Sequence, residues 1–363
     1  MFVASRELRR AWRRFSLVGL VVAMVAVLST LVVGLSNGLV QQGTSGLAAL
    51  PFTHLAFAPG AQATFSRSNL DAEQLRIWRT HAAEASPIGV SFINATQDGG
   101  HGVNVSIALF GVPARSFLVQ RADARAALEG PPGIVLSGAF EKKGLRVGDR
   151  LQIGASGVVL PVLGFTFAGS YGHVEIGYTS LSTWQKVQYG DDPRGRYSAI
   201  ALDLRPGTDI SAVDRLADTE TLTKQASYSG SPGYTAETAT MTMIRVFLLV
   251  ISALIVGAFF TVLAIQRVRQ IGVMKAMGAT SWYVMRDGLA QIAIVVVVAT
   301  AAGTLLGAGL IAAMSGSSVP MVFSVGTVVS SGLILAGAGV LGGALTLGRI
   351  SAASPAAALG IEG

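Results

Sequence analysis

The sequence predicts an α-helical membrane protein with four transmembrane helices and a mixed α+β extracytoplasmic domain inserted between helices 1 and 2. Three observations carry that prediction. Of 363 residues, 51% are hydrophobic and only 13% charged, whereas an ordinary soluble domain carries about 25% charged residues. Four apolar runs, at 15–35, 241–265, 289–314 and 319–347, are long enough to cross a bilayer, which takes about 20 residues of helix. The stretch 36–240 between the first two runs has the composition of a globular domain.

Charge placement predicts the topology. The segment from Ser36 to Ala236 holds 16 basic and 16 acidic residues, so the inserted domain is neutral and the rest of the chain carries the whole net charge of +7. Those remaining bases sit beside helix ends. Arg6, Arg9, Arg10, Arg13 and Arg14 precede the first run, Arg267, Arg269, Lys275 and Arg286 lie between the second and third, and Arg349 follows the fourth. Bases gather on the cytoplasmic side of a membrane, so both termini and the 266–288 loop are expected inside a plasma (inner) membrane. The inserted domain and the 315–318 turn are then outside. Basic residues beside a bilayer meet anionic lipid first, and this local placement excludes nucleic acid as the partner.

The first run is read as a retained anchor, because its 21 apolar residues exceed the core of a secretory leader and no small-x-small cleavage site closes it. Residues 1–14 are expected to form an amphipathic helix on the inner interface, with Leu8, Ala11, Trp12 and Phe15 on one face and arginines opposite. There is no cysteine, so disulfides and thiolate chemistry are excluded. About 200 residues can bury a sufficient core without them.

Within the inserted domain, Asn69 is expected to cap a helix through Ala85 that turns Leu75, Trp78 and Ala82 inward. From Gly133 to Phe167 the pattern reads strand, short helix, turn, strand, turn, strand, with turns at Gly148-Asp149 and from Gly154 to Gly157. Ser227–Gly233 has the Ser, Gly and Pro content of a linker on which the domain would pivot. Gly303-x-x-x-Gly307 and Gly339-x-x-x-Gly343 are spaced for close helix approach, and packing within the chain is favoured over a subunit interface. Met24 is expected to fill a helix-bundle core, and Met243 to serve in packing.

The stretch from Arg267 to Arg286 reads R-V-R-Q-I-G-V-M-K-A-M-G-A-T-S-W-Y-V-M-R. It resembles the loop after the second helix of MacB/FtsX-type permeases, approximately R-x-x-E-I-G-[IV]-[LM]-[KR]-A-[LIM]-G-A, with Gln270 in place of the usual Glu. The segment from Arg349 to Ala356 is similar to that family's closing R-x-x-x-x-x-P-A. Val135-Leu136-Ser137, Gly144 to Asp149 and Val162-Leu163-Gly164 resemble its outer core domain. The start M-F-x-A-x-R-E-L-R-x-A and the stretch N-G-L-x-x-Q-x-x-S-G look most like the haem-efflux members. The resemblance implies a homodimer of permeases bound to two copies of a cytoplasmic ABC ATPase, with membrane lipid around it and haem as the exported ligand.

The residues themselves agree with a coupling role for the loop. Ile271, Met274 and Met277 form an apolar set at helical spacing beside Lys275, and Gly278 can end the helix. This knob suits a groove on an ATPase. The chain holds no G-x-x-x-x-G-K-[ST], so it is expected not to be an enzyme, and ATP hydrolysis falls to a separate subunit. No cofactor of its own, metal site or catalytic triad is expected; His54, His81, His101 and His173 are scattered without metal-ligand spacing.

Efflux of haem or a similar membrane-embedded amphiphile is the leading reading. The alternatives are an FtsX-like mechanotransmitter that activates an extracellular cell-wall hydrolase, and a lipid or lipoprotein extractor. A transporter needs a polar constellation within its membrane helices, and the second run offers one. Glu237, Met241 and Arg245 follow at i, i+4 and i+8, which puts them on one helical face, with Tyr234 beside them if the helix has begun. An anionic oxygen, a soft thioether and a cation answer the iron and the propionates of haem. Tyr171 is expected to approach from the outer domain, with His173 a weaker candidate.

Overall fold

The computed structural model describes residues 12–98, 103–154, 156–278, 280–314 and 319–351. It divides into two compact units, one made of 1–38 with 238–363 and the other of 39–237. Most of the predicted inner-face helix 1–14 and the tail beyond Ser351 lie outside the described residues, as does the 315–318 turn.

The first unit is built on four helices, α1 (Trp12–Ala48), α7 (Tyr234–Ala276), α8 (Ser281–Met314) and α9 (Val325–Ser351). Each is long and apolar enough to cross a membrane. The helices α1 and α7 run past the apolar limits read from sequence, because hydropathy marks what lipid accepts and the flanking polar turns contain no proline to break a helix. The fourth helix starts later than its apolar run. Pro320 cannot donate a helical hydrogen bond, and the segment around it lies extended, with Val322 N–H donating to the Gly34 carbonyl at 3.1 Å.

Small residues set the spacing of the bundle. A Cβ on Gly303 would overlap the Ala23 carbonyl and the Ala26 side chain, and one on Gly307 would reach Thr30. Gly339 faces Val296, and Gly343 faces Ile292. Both small-xxx-small stripes therefore serve packing within the chain. Phe15, Val18, Val22, Val256, Phe260 and Ile292 fill the core, and the Phe15 ring stands edge-on to Phe259 at 6.1 Å. Met24, in contrast, is 62% exposed on the outside of the bundle. It fills no core, since its helical phase falls opposite the Val18–Val22–Ala26 face that is buried.

The second unit is a mixed sheet with helices over it. Its strands are β1 (His54–Phe57), β2 (Glu84–Gln97), β3 (Asn104–Val112), β4 (Ile134–Ser137), β5 (Arg150–Ile153), β6 (Val159–Thr166), β7 (Ser170–Tyr171), β8 (Val174–Ser180), β9 (Ala199–Asp203) and β10 (Glu220–Thr223). They lie in the order β10-β1-β9-β2-β3-β8-β4-β6-β5, and β5 returns to pair with β2. Six strands thereby close into a barrel, which removes their edges. Pairs β3–β8 and β4–β6 are parallel and the others antiparallel. The barrel interior is filled by Ile107, Leu109, Ile134, Leu136, Leu151 and Val162, with the alternation that strand geometry dictates. The free edge of β10 is blunted, because Asp214 on α6 (Ile210–Ala217) accepts the Thr221 N–H at 3.0 Å.

Helix α2 (Ala72–His81) does bury Leu75 and Trp78, with Ala82 buried just past its end, but it stops short of Ala85, which lies in β2, and its cap is Asp71. The Asp71 carboxylate accepts the Glu73 N–H, and Gln74 returns to the Asp71 N–H, a reciprocal arrangement that leaves Asn69 outside the helix. The strand, short helix, strand, strand reading after Gly133 matches β4, α4 (Gly138–Lys142), β5 and β6. Ser227–Gly233 is no slack linker. A short 3-10 turn over Ala226–Gly230 is held down by Ser231 Oγ donating to the Gly43 carbonyl at 2.7 Å, and a Cβ on Gly230 would overlap the Ala63 carbonyl.

Helix α5 (Leu181–Tyr189) is seated by a glycine pair. Gly89 on β2 and Gly111 on β3 are direct cross-strand partners, and a side chain on either would overlap the Trp184 ring. Trp184 is 1% exposed, and its Nε1 donates to Ser91 Oγ at 3.0 Å.

Candidate functional site

The stripe predicted on the second apolar run falls on a single unbroken helix. α7 begins at Tyr234, so Tyr234, Glu237, Met241 and Arg245 recur along one face of it. Its start is fixed by Gly233 at φ +83°, a left-handed conformation that a side chain would strain. A Cβ there would also stand 2.8 Å from Glu237 Oε1.

Glu237 is half-buried and held in place. His173 Nε2 donates to its Oε1 at 2.9 Å, and the Glu237 N–H donates to the Gly233 carbonyl at 2.9 Å. His173 sits in the turn between β7 and β8 at φ +63°, beside Gly172 at φ +58°. That turn is tied to the last part of α1: Gly172 N–H donates to the Gly43 carbonyl at 3.0 Å and His173 N–H to the Gln42 carbonyl at 3.2 Å. Two consecutive left-handed residues aim the imidazole at the carboxylate. Sequence singled out both partners without joining them, since 64 positions separate them and only the closed sheet carries β7–β8 to the start of α7.

The other stripe residues differ in surroundings. Tyr234 meets the Tyr228 ring edge-on at 6.3 Å. Met241 and Arg245 are half-buried, and the Arg245 Nε is buried with no hydrogen-bond partner among the described residues. An unpaired buried guanidinium nitrogen costs about 1–3 kcal/mol or more, a cost that an anionic ligand would remove. Met243 points elsewhere and is 56% exposed, so it does no packing within the chain.

Tyr171 is a core residue. It is 1% exposed and ringed by Phe65, Phe92 and Phe110 with centroids 5.7, 5.9 and 5.8 Å away. Its hydroxyl is buried without a partner among the described residues. Burial pushes the phenol pKa well above its ordinary value, which opposes the phenolate that ferric iron ligation needs. Nothing in the sequence between Ser170 and His173 signals that burial.

In the coupling segment, α7 continues to Ala276, so Ile271, Met274 and Lys275 lie on its last turns, though their side chains are outside the described residues. Met277 is 77% exposed. Gly278, at φ +94°, ends the helix. Among the described residues no group of three or more His, Asp and Glu is placed to hold a metal.

Comparison with known proteins gives matches along most of the chain. Residues 15–219 match the MacB-like periplasmic core domain, and residues 242–355 match the FtsX-like permease C-terminal region. The putative hemin transport system permease protein HrtB of Staphylococcus epidermidis strain RP62A is 23% identical over 168 residues, spanning 46% of each chain. The protein of the same description from Staphylococcus haemolyticus is 20% identical over 293 residues, 80% of each chain. The match thus spans about half the length of the first relative and most of the second. Among solved structures, the extracellular domain of the noncanonic ABC-type transporter YknZ from Gram-positive bacteria is 14% identical. It covers 47% of this chain and 98% of its own, with a TM-score of 0.33. The periplasmic region of MacB from Actinobacillus actinomycetemcomitans is 13% identical, covering 50% of this chain and 94% of its own, with a TM-score of 0.34.

Proposed function

Because the chain belongs to the family of FtsX-like permeases with a MacB-like periplasmic core domain, we propose that it is the membrane subunit of an ATP-driven exporter whose cargo is haem. In this reading a homodimer of the chain works with two copies of a separate cytoplasmic ATPase. The termini and the 266–288 loop are inside the cell and the barrel domain is outside.

The observation that carries the cargo assignment is the stripe on α7: a carboxylate fixed by His173, then a thioether, then a guanidinium nitrogen lacking a partner among the described residues. Haem presents an apolar face, an iron that takes axial ligands and propionates that take cations. Glu237, with Tyr234 beside it, supplies oxygen to ferric iron, Met241 a soft contact and Arg245 a propionate partner. A two-fold axis beside α7 would face two copies of the stripe across one flat ligand. The names of the staphylococcal relatives point to the same cargo. The direct test is an absorption titration of the detergent-solubilised chain with haem. A saturable Soret band is expected, and its absence removes haem as cargo.

The ATPase contact is tested separately. Replacing both Met274 and Met277 with Asp puts two charges on an apolar knob, and at least a tenfold loss of ATPase co-purification is expected while the permease dimer persists. Undiminished complex formation sinks the coupling role. For topology, a cysteine at Ser156 is expected to react with an impermeant thiol reagent applied to intact cells, and one at Thr280 only after permeabilisation. The chain has no native thiol to compete, and reversed labelling overturns the orientation.

A further inference from the structure

We propose that the outer domain holds one linear alkyl chain, that of a single-chain amphiphile such as a fatty acid, in an apolar cavity apart from the α7 stripe. The cavity measures about 310 Å³ and lies between the outer face of the barrel and helix α3 (Ala122–Glu129), within the 39–237 unit.

Its floor is made by three residues side by side on neighbouring strands. Val135 on β4 pairs with Tyr178 on β8 on one side and with Gly164 on β6 on the other, so the floor drops from a ring to a valine to no side chain at all. A glycine inside a strand weakens it and often marks a place where another group comes close. No group of this chain does so: a Cβ on Gly164 would have nothing within 4 Å, and Gly164 is not among the left-handed residues that require glycine. A register shift at Ile134–Val135 leaves Leu163 as the extra residue beside it, a bulge of the kind that gathers at barrel rims and next to sites. The roof is equally spare. Ala124, Ala127 and Leu128 share the face of α3 over the hollow, and Ala124, Ala127, Leu163 and Gly164 are only partly buried, so both surfaces open on it.

Size, shape and charge define the ligand. An apolar cavity of about 150 Å³ takes one benzene, so this one has room for about ten to twelve carbons. Its lining follows β6 from Leu163 to Phe167, a length of about 13 Å at the rise of a strand, which suits a chain better than a disc. Of the lining residues only Arg121 and Asp123 are charged, and they answer one another: Arg121 Nε donates to Asp123 Oδ1 at 3.0 Å and its Nη2 to Oδ2. With no unmatched charge in the wall, recognition falls on hydrocarbon and the polar head stays in water.

Isothermal titration calorimetry of the full chain in CHAPS, a detergent without a linear alkyl chain, tests this with n-alkyl carboxylates of increasing length. Affinity is expected to rise about three- to fourfold per added methylene and to level off at about twelve carbons, where the cavity is full. Because no charge is read, 1-decanol should bind within about threefold of decanoate. Gly164→Leu puts a side chain into the hollow. It should weaken decanoate binding at least about tenfold while leaving the melting temperature equal or higher, since it fills a void without a clash. Ala127→Leu, which fills the space from the roof, carries the same expectation should Gly164→Leu melt lower. No saturable binding, a length dependence that never levels off, as in partition into micelles, or wild-type decanoate affinity in both variants overturns the site. Haem titration of the same samples separates this result from the α7 reading, because Gly164→Leu should leave the Soret band unchanged.

Discussion

Glu237→Ala is expected to weaken haem binding by the detergent-solubilised chain about 10- to 100-fold and to displace the Soret band, because it removes the anionic oxygen from the start of α7. Loss of an ordinary contact would lower affinity and leave the spectrum alone; loss of an axial ligand changes both. Met241→Ala, one turn on, is expected to shift the band in the same sense. Met243→Ala, on an exposed and different face, should do neither. The geometry adds a third variant. His173 Nε2 holds Glu237 Oε1 at 2.9 Å, so His173→Gln, which can still donate, should retain more affinity than His173→Ala. That ranking belongs to a positioning residue, and equal losses in the two His173 variants would speak against it. Wild-type binding and wild-type haem resistance in both Glu237→Ala and Met241→Ala would falsify the α7 site.

Gly111→Val should cost the outer domain about 3–5 kcal/mol, a drop of roughly 10 °C in melting temperature for a unit of this size. Gly111 and its cross-strand partner Gly89 form the floor beneath Trp184, and a valine there takes the space of the indole. Interior packing is as dense as a crystal, so the ring has nowhere to move and the Trp184 Nε1 bond to Ser91 is lost with it. The mechanism predicts strong non-additivity. Trp184→Ala alone opens a large hole and is destabilising by a similar amount, whereas Gly111→Val in that background fills part of it, so the double variant should be more stable than the sum implies. Intrinsic fluorescence of the full chain on heating reads this out through the other tryptophans. A melting temperature for Gly111→Val within about 2 °C of wild type would remove the glycine floor as a packing device.

What could be read in advance was whatever depends on composition over a long window. The four apolar runs, the neutral inserted domain and the basic clusters needed only a count, and the order of elements after Gly133 followed from apolar runs broken by glycine turns. Readings at single positions fared differently. The cap at Asp71 was visible in the spacing Asp71-x-x-Gln74, yet Asn69 offered an equally good capping side chain and only the reciprocal hydrogen bonds distinguish them. The Ser, Gly and Pro stretch before α7 looked slack because its composition is that of a linker. In the folded domain, small side chains there permit close approach to Gly43 and Ala63. Met24 was misplaced for lack of a phase reference, since every residue around it is apolar. In the site, local spacing defined the α7 stripe, while the His173 contact with Glu237 and the burial of Tyr171 depend on pairings made across the whole sheet.

Strand β2 has one more consequence, for how the outer domain forms. Its 14 residues serve two structures at once. Glu84–Ile88 pair with β9, while Ala95–Gln97 pair with β5 to shut the barrel. The flanking contacts are far apart in the chain: His54 pairs with Leu202, and β10, near residue 220, pairs with β1. Contacts of such separation are slow to find, since the loops they close must lose their freedom before any reward arrives. Neither the ring nor its three-strand extension can be completed until β2 is in register, and a slip of one residue along it would turn the alternating side chains of both inside out. The strand is therefore the template that the ring and its extension share. Because β9, at Ala199–Asp203, is the last partner of β2 along the chain, a growing polypeptide holds one end of β2 unpaired until that strand has been made, which defines an interval and a segment open to mispairing.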